Sequence, residues 1–179
     1  MTAIAALVDH GKIWMGGDSA ATCSDTHRLV IRKDEKVFIR GNFIFGFTSS
    51  FRMGNLLRYS FYPPEQGKDV SDIEYMNTSF VNTIRDCFRA GGYMRTDEGS
   101  DRGGVFLVGY RGNVYEIQSD FQVGVPADSF MACGCGIDLC LGSLYSTTDL
   151  PPRERIKKAL EAAERFNGAV RKPFVIKSL

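Results

Sequence analysis

The sequence carries almost no net charge and contains no long apolar run. Its 179 residues include 22 basic and 21 acidic side chains, so the formal net charge is +1. A near-neutral chain lacks the basic surface typical of proteins that bind nucleic acid or anionic membranes. No apolar run approaches the roughly 18 residues of a membrane-spanning helix. The N-terminus has no basic flank followed by an apolar core, so we expect a mature cytoplasmic chain.

Histidine is also scarce, which disfavours two common kinds of site. The only histidines are His10 and His27, and no Gly-x-Ser-x-Gly segment accompanies them, which weakens any Ser-His-Asp site. Zinc at Cys133, Cys135 and Cys140 would need a fourth ligand nearby, so we predict no metal site. The cysteine count is five, and an odd number without a signal peptide fits a reducing compartment better than a disulfide framework.

Length and composition indicate one ordinary globular domain, residues 1–179. The chain is 44% hydrophobic and 24% charged, as in typical globular proteins. At this length one domain can bury a sizeable core, and little room is left for a second.

Strand and turn patterns fill the first 48 residues, and helical spacing begins afterwards. Strands are predicted at 3–8, 12–17, 28–32, 36–40 and 43–48, with a loop from Gly17 to Ser24. A helix is predicted from about Ser50, and a longer one from Ser71, which has Glu74 at the capping-box spacing. The segment 91–104 is predicted to be a mobile surface loop.

The second half of the chain repeats this alternation of hairpins and helices. Strands are predicted at 105–110, 114–118, 129–133 and 174–176, and helices at 137–146 and 152–166. Antiparallel hairpins segregated from pairs of helices predict an α+β fold rather than a parallel one. Two sheets facing each other, with helix pairs outside, would bury all of these apolar stripes.

The N-terminal residues suggest a nucleophile. Thr2 follows Met1 directly, and removal of Met1 would give it both a hydroxyl and a free α-amine. The amine can then take the proton of the hydroxyl, which is one way to activate a weak nucleophile. Thr is small enough for methionine aminopeptidase to remove the preceding Met. If Met1 is retained, the amine stays in a peptide bond and the hydroxyl lacks its base.

Four segments together resemble the proteasome β-subunit superfamily, which includes HslV-type peptidases and smaller bacterial and phage-borne proteasome-like proteins. They are the N-terminal Thr, the block G-G-D-S-A-A-T, the hairpin K-V-F-I-R-G-N-F-I-F-G-F and the strand exit A-C-G-C-G. The resemblance spans nearly the whole chain. It implies an N-terminal-nucleophile hydrolase fold, a four-layer αββα sandwich of two antiparallel sheets between helix layers.

The resemblance also implies roles for individual residues. Thr2 corresponds to the nucleophile and, through its α-amine, to the general base. Asp18 and Lys36 correspond to an acid and a lysine beside it, with Lys33 as the alternative lysine because the connection from Asp18 is longer than usual. The oxyanion donor corresponds to a backbone N–H at Ser50.

This sequence departs from the family in the residues around that core. Cys135 stands where the family has a supporting Ser, and a thiol is the weaker hydrogen-bonding group. Glu164 and Asn167 stand where the family has Asp and Ser. Ser49 and Ser50 replace the favoured Ala-Gly, and Phe47, Thr48 and Ser49 are expected near the substrate pocket.

The expected function is that of a threonine peptidase that cleaves peptide bonds through an ester on Thr2. The resemblance implies a homo-oligomeric ring or double ring, a peptide or unfolded-protein substrate and an ATPase unfoldase partner. It implies no metal and no organic cofactor. Two alternatives remain: a non-catalytic proteasome-like structural subunit, or a small-molecule amidase on the same fold.

Overall fold

The structure is a computed structural model that describes residues 2–23, 25–26, 28–97 and 99–179. Met1, Ser24, His27 and Glu98, with the predictions made for those positions, lie outside the described residues. One antiparallel sheet has four strands in the order β12-β1-β2-β13. These strands are β1 (Ala3–Asp9), β2 (Lys12–Gly17), β12 (Phe130–Gly134) and β13 (Val175–Ser178).

The hairpin between β1 and β2 is closed by a tight turn at Asp9-His10-Gly11, which separates the predicted strands 3–8 and 12–17. His10 and Gly11 both have positive φ, at 47° and 77°, as a two-residue type I′ turn requires. This turn sets a register in which Ile4 lies opposite Gly17. The start of β1 therefore lies beside the end of β2.

A second antiparallel sheet has five strands in the order β11-β10-β9-β6-β5. Its strands are β5 (Val37–Arg40), β6 (Phe43–Phe47), β9 (Phe106–Tyr110), β10 (Asn113–Ile117) and β11 (Val123–Gly124). Only β11 lacks a predicted counterpart. The turn between β9 and β10 repeats the type I′ geometry, with φ of 46° at Arg111 and 74° at Gly112.

The structure has strands of two short hairpins in segments that were predicted to be loops. Part of the predicted loop 17–24 is strand β3 (Ala20–Thr22), which pairs with β4 (Leu29–Ile31). The predicted loop 91–104 contains β7 (Arg95–Asp97) paired with β8 (Ser100–Arg102). Small and charged residues have weak intrinsic strand preference, so pairing with a partner strand decided their conformation.

The helices lie close to their predicted positions. They are α1 (Phe51–Tyr59), α2 (Asp72–Tyr75), α3 (Val81–Ala90), α4 (Ile137–Ser146) and α5 (Pro152–Phe166), with a π-helical turn (Met76–Phe80) joining α2 to α3. Ser71 caps α2, and its side chain accepts a hydrogen bond from the backbone N–H of Glu74. No helix in the described part of the chain is long and apolar enough to cross a membrane.

Buried apolar residues form three clusters, each shared by particular elements. The first joins the five-stranded sheet to α1, α2 and α3 and is rich in aromatic rings, among them Phe43 stacked on Tyr110 at 4.3 Å between centroids. The second joins the four-stranded sheet to α4 and α5. The third contains residues of both sheets, including Ile4 and Ile44. The clusters hold the end of β2 near the start of β5.

The chain's one tryptophan, Trp14, lies half-buried on β2. It pairs with Leu7 on β1 and with Ser178 on β13. Its ring packs against the second cluster, and the Lys12 ammonium lies 4.9 Å from its centroid. Trp14 thus belongs to the four-stranded sheet.

Candidate active site

The carboxylate of Asp18 lies at the centre of a buried group of hydrogen-bond donors. Asp18 follows β2 and is 1% exposed. Its Oδ1 accepts from the backbone N–H of Ala3 at 3.1 Å, and its Oδ2 accepts from Ala20 at 3.0 Å and Arg171 at 3.3 Å. These bonds connect the acid to the start of β1, to β3 and to the segment that precedes β13. Hydrogen bonds to a carboxylate favour its charged form.

Lys36 completes this group through an ion pair with Asp18. Its Nζ lies 2.7 Å from Asp18 Oδ1, and the two side chains are 1% and 0% exposed. Burial lowers the pKa of the Lys36 ammonium, an effect that the charge of Asp18 opposes. The alternative lysine, Lys33, is exposed to solvent. The geometry therefore brings Lys36, and not Lys33, to Asp18.

Thr2 is buried next to this ion pair. One carboxylate oxygen, Asp18 Oδ1, contacts both the Lys36 Nζ and the N–H of Ala3, which immediately follows Thr2. The backbone N–H of Thr2 lies 3.2 Å from the sulfur of Cys135. The Cys135 thiol in turn lies 3.3 Å from the Thr2 carbonyl oxygen and 3.5 Å from Asn167 Oδ1. Because a thiol has one proton, it donates to only one of these oxygens at a time.

Gly134 allows β12 to approach the Thr2 carbonyl closely. Its φ is +95°, and a Cβ added there would lie 2.2 Å from the Thr2 oxygen. The backbone N–H of Gly136 donates to the same oxygen at 3.4 Å. The Gly-Cys-Gly sequence is therefore required in part by backbone geometry, because a side chain at Gly134 would displace Thr2.

A small cleft opens beside Thr2. Its volume is about 90 Å³, and its lining residues are Thr2, Ala21, Thr22 and residues 47–51. The structure thus brings the predicted pocket residues Phe47, Thr48 and Ser49, together with Ser50, to one cleft with Thr2. At about 90 Å³, the cleft is the size of a pocket for a single side chain.

The backbone at Ser49 and Ser50 has an unusual conformation. Ser49 has φ of +62°, and the N–H of Ser50 donates to the Thr48 carbonyl at 2.7 Å. The predicted oxyanion donor is therefore already engaged within its own turn. Ser50 stands at the position where the family has Gly. The positive φ, which is uncommon for non-Gly residues, occurs one residue earlier, at Ser49.

Asn167 and Glu164 occupy different surroundings. Asn167 Nδ2 donates to the Cys135 carbonyl at 2.8 Å, which places Asn167 beside the Thr2 group. Glu164 instead accepts from the backbone N–H of Lys172 at 2.9 Å and pairs with its ammonium at 3.8 Å. Glu164, which was predicted to be a supporting residue, therefore contacts the segment that precedes β13. Glu164 contacts Lys172, and the N–H of the preceding residue, Arg171, donates to Asp18.

Sequence reasoning missed the backbone donors to Asp18. A main-chain N–H carries no side-chain signal, so nothing in the sequence marks Arg171 as a partner of Asp18. The two are brought together because Ser19 donates its Oγ to the Pro173 carbonyl at 2.7 Å and its N–H to the Arg171 carbonyl at 3.0 Å. Among the described residues, no group of three or more His, Cys, Asp or Glu is arranged to hold a metal ion.

No protein-family model matches the sequence, and no curated protein matches it. Solved structures do match. BPH from Thiobacillus denitrificans is 16% identical with a TM-score of 0.81, covering 99% of this chain and 97% of that chain. The same protein in complex with epoxomicin gives 16% identity, a TM-score of 0.79 and 99% and 98% coverage. HslV from Trypanosoma brucei is 17% identical with a TM-score of 0.69, covering 99% of each chain.

The chain has the HslV-like, proteasome-type fold. Anbu, an ancestral β-subunit from Yersinia bercovieri, agrees with this at 11% identity and a TM-score of 0.68, covering 99% of this chain and 81% of that chain. Within this HslV-like fold, Thr2, Asp18 and Lys36 form one group at the end of the four-stranded sheet. At such identities the likeness establishes the fold alone.

Proposed function

We propose that this protein is a threonine peptidase of the proteasome type, with Thr2 as its nucleophile once Met1 is removed. The observation that supports the proposal is the fully buried Asp18–Lys36 ion pair against the first peptide group after Thr2. Burying a lysine and an aspartate is costly even when they are paired. A pair kept in this position, beside a cleft that also contains Thr2, is better explained by chemistry than by stability alone.

The ion pair would tune the α-amine of Thr2. A free α-amine has a pKa of about 7.7–8.0, and a nearby ammonium disfavours its protonated form. The Lys36 ammonium thus makes the neutral amine, which is the form that accepts a proton, more abundant near neutral pH. Asp18 holds Lys36 charged and oriented, since its carboxylate opposes the effect of burial on the lysine pKa.

The reaction then proceeds in two halves. The Thr2 hydroxyl oxygen attacks the substrate carbonyl carbon while its proton passes to the α-amine. The tetrahedral oxyanion collapses, the C–N bond breaks, and the ammonium returns the proton to the leaving amine. Water next attacks the ester carbon, gives its proton to the α-amine, and the C–O bond to Thr2 breaks with return of the proton. The chemistry requires neither a metal nor an organic cofactor.

The fold likeness extends the proposal to the architecture and the assembly. The three apolar clusters support a four-layer αββα order within a single domain spanning residues 1–179. The likeness to HslV and Anbu supports a homo-oligomeric ring in the cytoplasm. Its substrate would be peptide or unfolded protein, delivered in the latter case by an ATPase.

A non-catalytic structural subunit is the second candidate, and one observation favours it. The N–H of Ser50, the proposed oxyanion donor, is bonded to the Thr48 carbonyl at 2.7 Å. Catalysis requires that donor to face a developing oxyanion, and loss of one such donor costs about 10²–10³ in kcat. A peptidase must therefore turn this N–H toward the cleft when substrate binds.

Intact mass measured before and after treatment with epoxomicin distinguishes the two candidates. Epoxomicin is found on BPH, whose fold this chain shares. A peptidase loses Met1 and gains one epoxomicin, and the adduct is absent from Thr2→Ala. Thr22→Ala is the matched control because Thr22 lines the same cleft, and its adduct should persist. A Met-free chain that forms no adduct would overturn the proposal, and a retained Met1 without adduct would favour the structural subunit.

A further inference from the structure

A second, larger cavity adjoins the Thr2 cleft. Its volume is about 360 Å³, and it shares Ser49 and Ser50 with the cleft. The rest of its lining comes from residues 92–95 and from Arg102 and Gly103. A chain that occupied the cleft beside Thr2 could therefore continue into this cavity across the two serines.

Two arginines give the cavity its charge. Arg95 on β7 and Arg102 on β8 are register partners, so the two side chains stand directly opposite each other. Both line the cavity. Like charges at directly opposed positions of an antiparallel pair destabilise the pair. A short hairpin that keeps such a pair violates a local rule, and violations of this kind concentrate at functional sites.

Among the described residues, the acid next to Arg102 is engaged by other arginines. Neither Arg95 nor Arg102 forms an ion pair with any residue that the structure describes. Asp101, the acid adjacent to Arg102, pairs instead with Arg85 at 2.7 Å and Arg89 at 2.9 Å. The described residues that line the cavity include no carboxylate. The described lining residues therefore give the cavity a positive charge, and its volume leaves room for an anion.

Tyr93 lines the same cavity as the two arginines and the two serines. Its ring packs edge-on against Phe88 at 5.3 Å between centroids. Burial raises the pKa of the Tyr93 phenol, an effect opposed by a hydrogen bond with Ser50 and by the charge of Arg95. The phenol thus remains a neutral hydrogen-bond donor at physiological pH.

We propose that the cavity lined by Arg95 and Arg102 is a substrate subsite that binds the carboxylate side chain of a Glu or Asp residue of the peptide. Paired guanidinium groups are suited to carboxylates, because their planar N–H groups donate two parallel hydrogen bonds. The Tyr93 hydroxyl and the Ser49–Ser50 segment add polar partners. This subsite rests on the proposed peptidase function, and it makes the preferred substrates acidic.

The test uses peptides that differ only by Glu or Gln at one position on either side of the scissile bond. The protein that has lost Met1 should cleave the best Glu peptide about fivefold or more faster, in kcat/KM, than its Gln partner, since exposed ion pairs contribute up to about 1 kcal/mol each. Arg95→Gln/Arg102→Gln should bring the ratio close to one. Arg153→Gln, an exposed arginine on α5, should leave the ratio unchanged.

Binding to Thr2→Ala tests the subsite independently of turnover. Fluorescence anisotropy should show tighter binding of the Glu peptide than of the Gln peptide, and added salt or loss of both arginines should remove the difference. If no peptide is cleaved but this preference is present, the peptidase proposal fails, and the cavity stands as a binding site for acidic peptides. An unchanged Glu-to-Gln ratio in the arginine variant, or equal binding of both peptides to Thr2→Ala, overturns the subsite. Arg95→Lys/Arg102→Lys, which keeps the charge, should retain part of the preference.

Discussion

Replacing Lys36 by Met should strongly destabilise the protein, because it removes one member of a buried ion pair. The Lys36 and Asp18 side chains are 1% and 0% exposed. Breaking such a pair costs about 3–5 kcal/mol, since the remaining charge stays buried without its partner. Asp18 keeps its backbone donors at 3.0, 3.1 and 3.3 Å, so we expect the lower end, about 3 kcal/mol.

Asp18→Asn should lower the free energy of unfolding by a similar amount, because it removes the negative member of the pair and leaves the Lys36 charge buried. An amide NH₂ cannot accept hydrogen bonds, so backbone donors to one former carboxylate oxygen lose their acceptor, and Lys36 loses its counter-ion. In the double variant Asp18→Asn/Lys36→Met no buried charge remains. Replacing a whole buried pair by neutral groups is often nearly neutral, so the double variant should be more stable than the sum of the single losses predicts by about 2 kcal/mol or more.

Urea unfolding followed by far-ultraviolet circular dichroism measures these free energies, at one fixed protein concentration because assembly would raise apparent stability. The exposed pair Arg32–Asp34, with side chains 40% and 37% exposed, provides the control. Asp34→Asn should cost at most about 1 kcal/mol. If the losses of Lys36→Met and Asp18→Asn add to within about 0.5 kcal/mol in the double variant, the two groups are not coupled and the reasoning is refuted.

Three further changes have defined outcomes. Gly134→Ala should cost about 2 kcal/mol or more in thermal unfolding, because its Cβ would meet the Thr2 carbonyl at 2.2 Å, whereas Gly142→Ala, with open space around it, should be neutral or stabilising. Burial raises the pKa of the Glu116 carboxyl above that of an exposed glutamate. As pH rises above the ordinary glutamate pKa, the unfolded state therefore releases a proton that the folded state still holds. Stability should therefore fall as pH rises through that window, and Glu116→Gln should gain stability relative to the parent near neutral pH but not at acidic pH. Cys135→Ser should raise peptidase kcat, because a hydroxyl bonds the Thr2 amine more strongly than a thiol; an unchanged kcat would show that the thiol suffices.

Turn chemistry and periodicity predicted most of the fold. Asp-His-Gly closes the first hairpin because His10 and Gly11 adopt positive φ, and the Ser71 cap begins α2 where its spacing indicates. These features depend on residues close together in the chain. The prediction of Lys36 beside Asp18 came from resemblance, and the geometry brings the two side chains into contact. Cys135 and Asn167 were each named as supporting residues around Thr2, and the structure adds a hydrogen bond between them.

The failures share a physical cause. β3 and the β7–β8 hairpin consist of small or charged residues whose conformation depends on a partner strand. The Ser50 N–H is engaged by a carbonyl two residues earlier, which follows from the conformation of Ser49 and not from its identity. Glu164 lies on the predicted helix α5, but its helical position directs it to Lys172. Sequence patterns specify faces and turns, while these contacts depend on how distant segments meet.

The placement of Trp14 gives the molecule separate optical reporters for its two halves. Tryptophan emission arises only from the sheet that begins at Ala3, since the chain has no second indole. Tyr75, Tyr110 and Tyr115 are buried in the aromatic cluster against the other sheet, whereas Tyr145 on α4 is 75% exposed. The change in tyrosine second-derivative absorbance on unfolding therefore comes mainly from the half that contains the aromatic cluster. If the two signals change at one urea concentration, the halves unfold as a single cooperative unit. If their midpoints differ, the chain contains two folding units. The midpoints then show which of the two sheets is the more stable, the one that begins directly after Thr2 or the other.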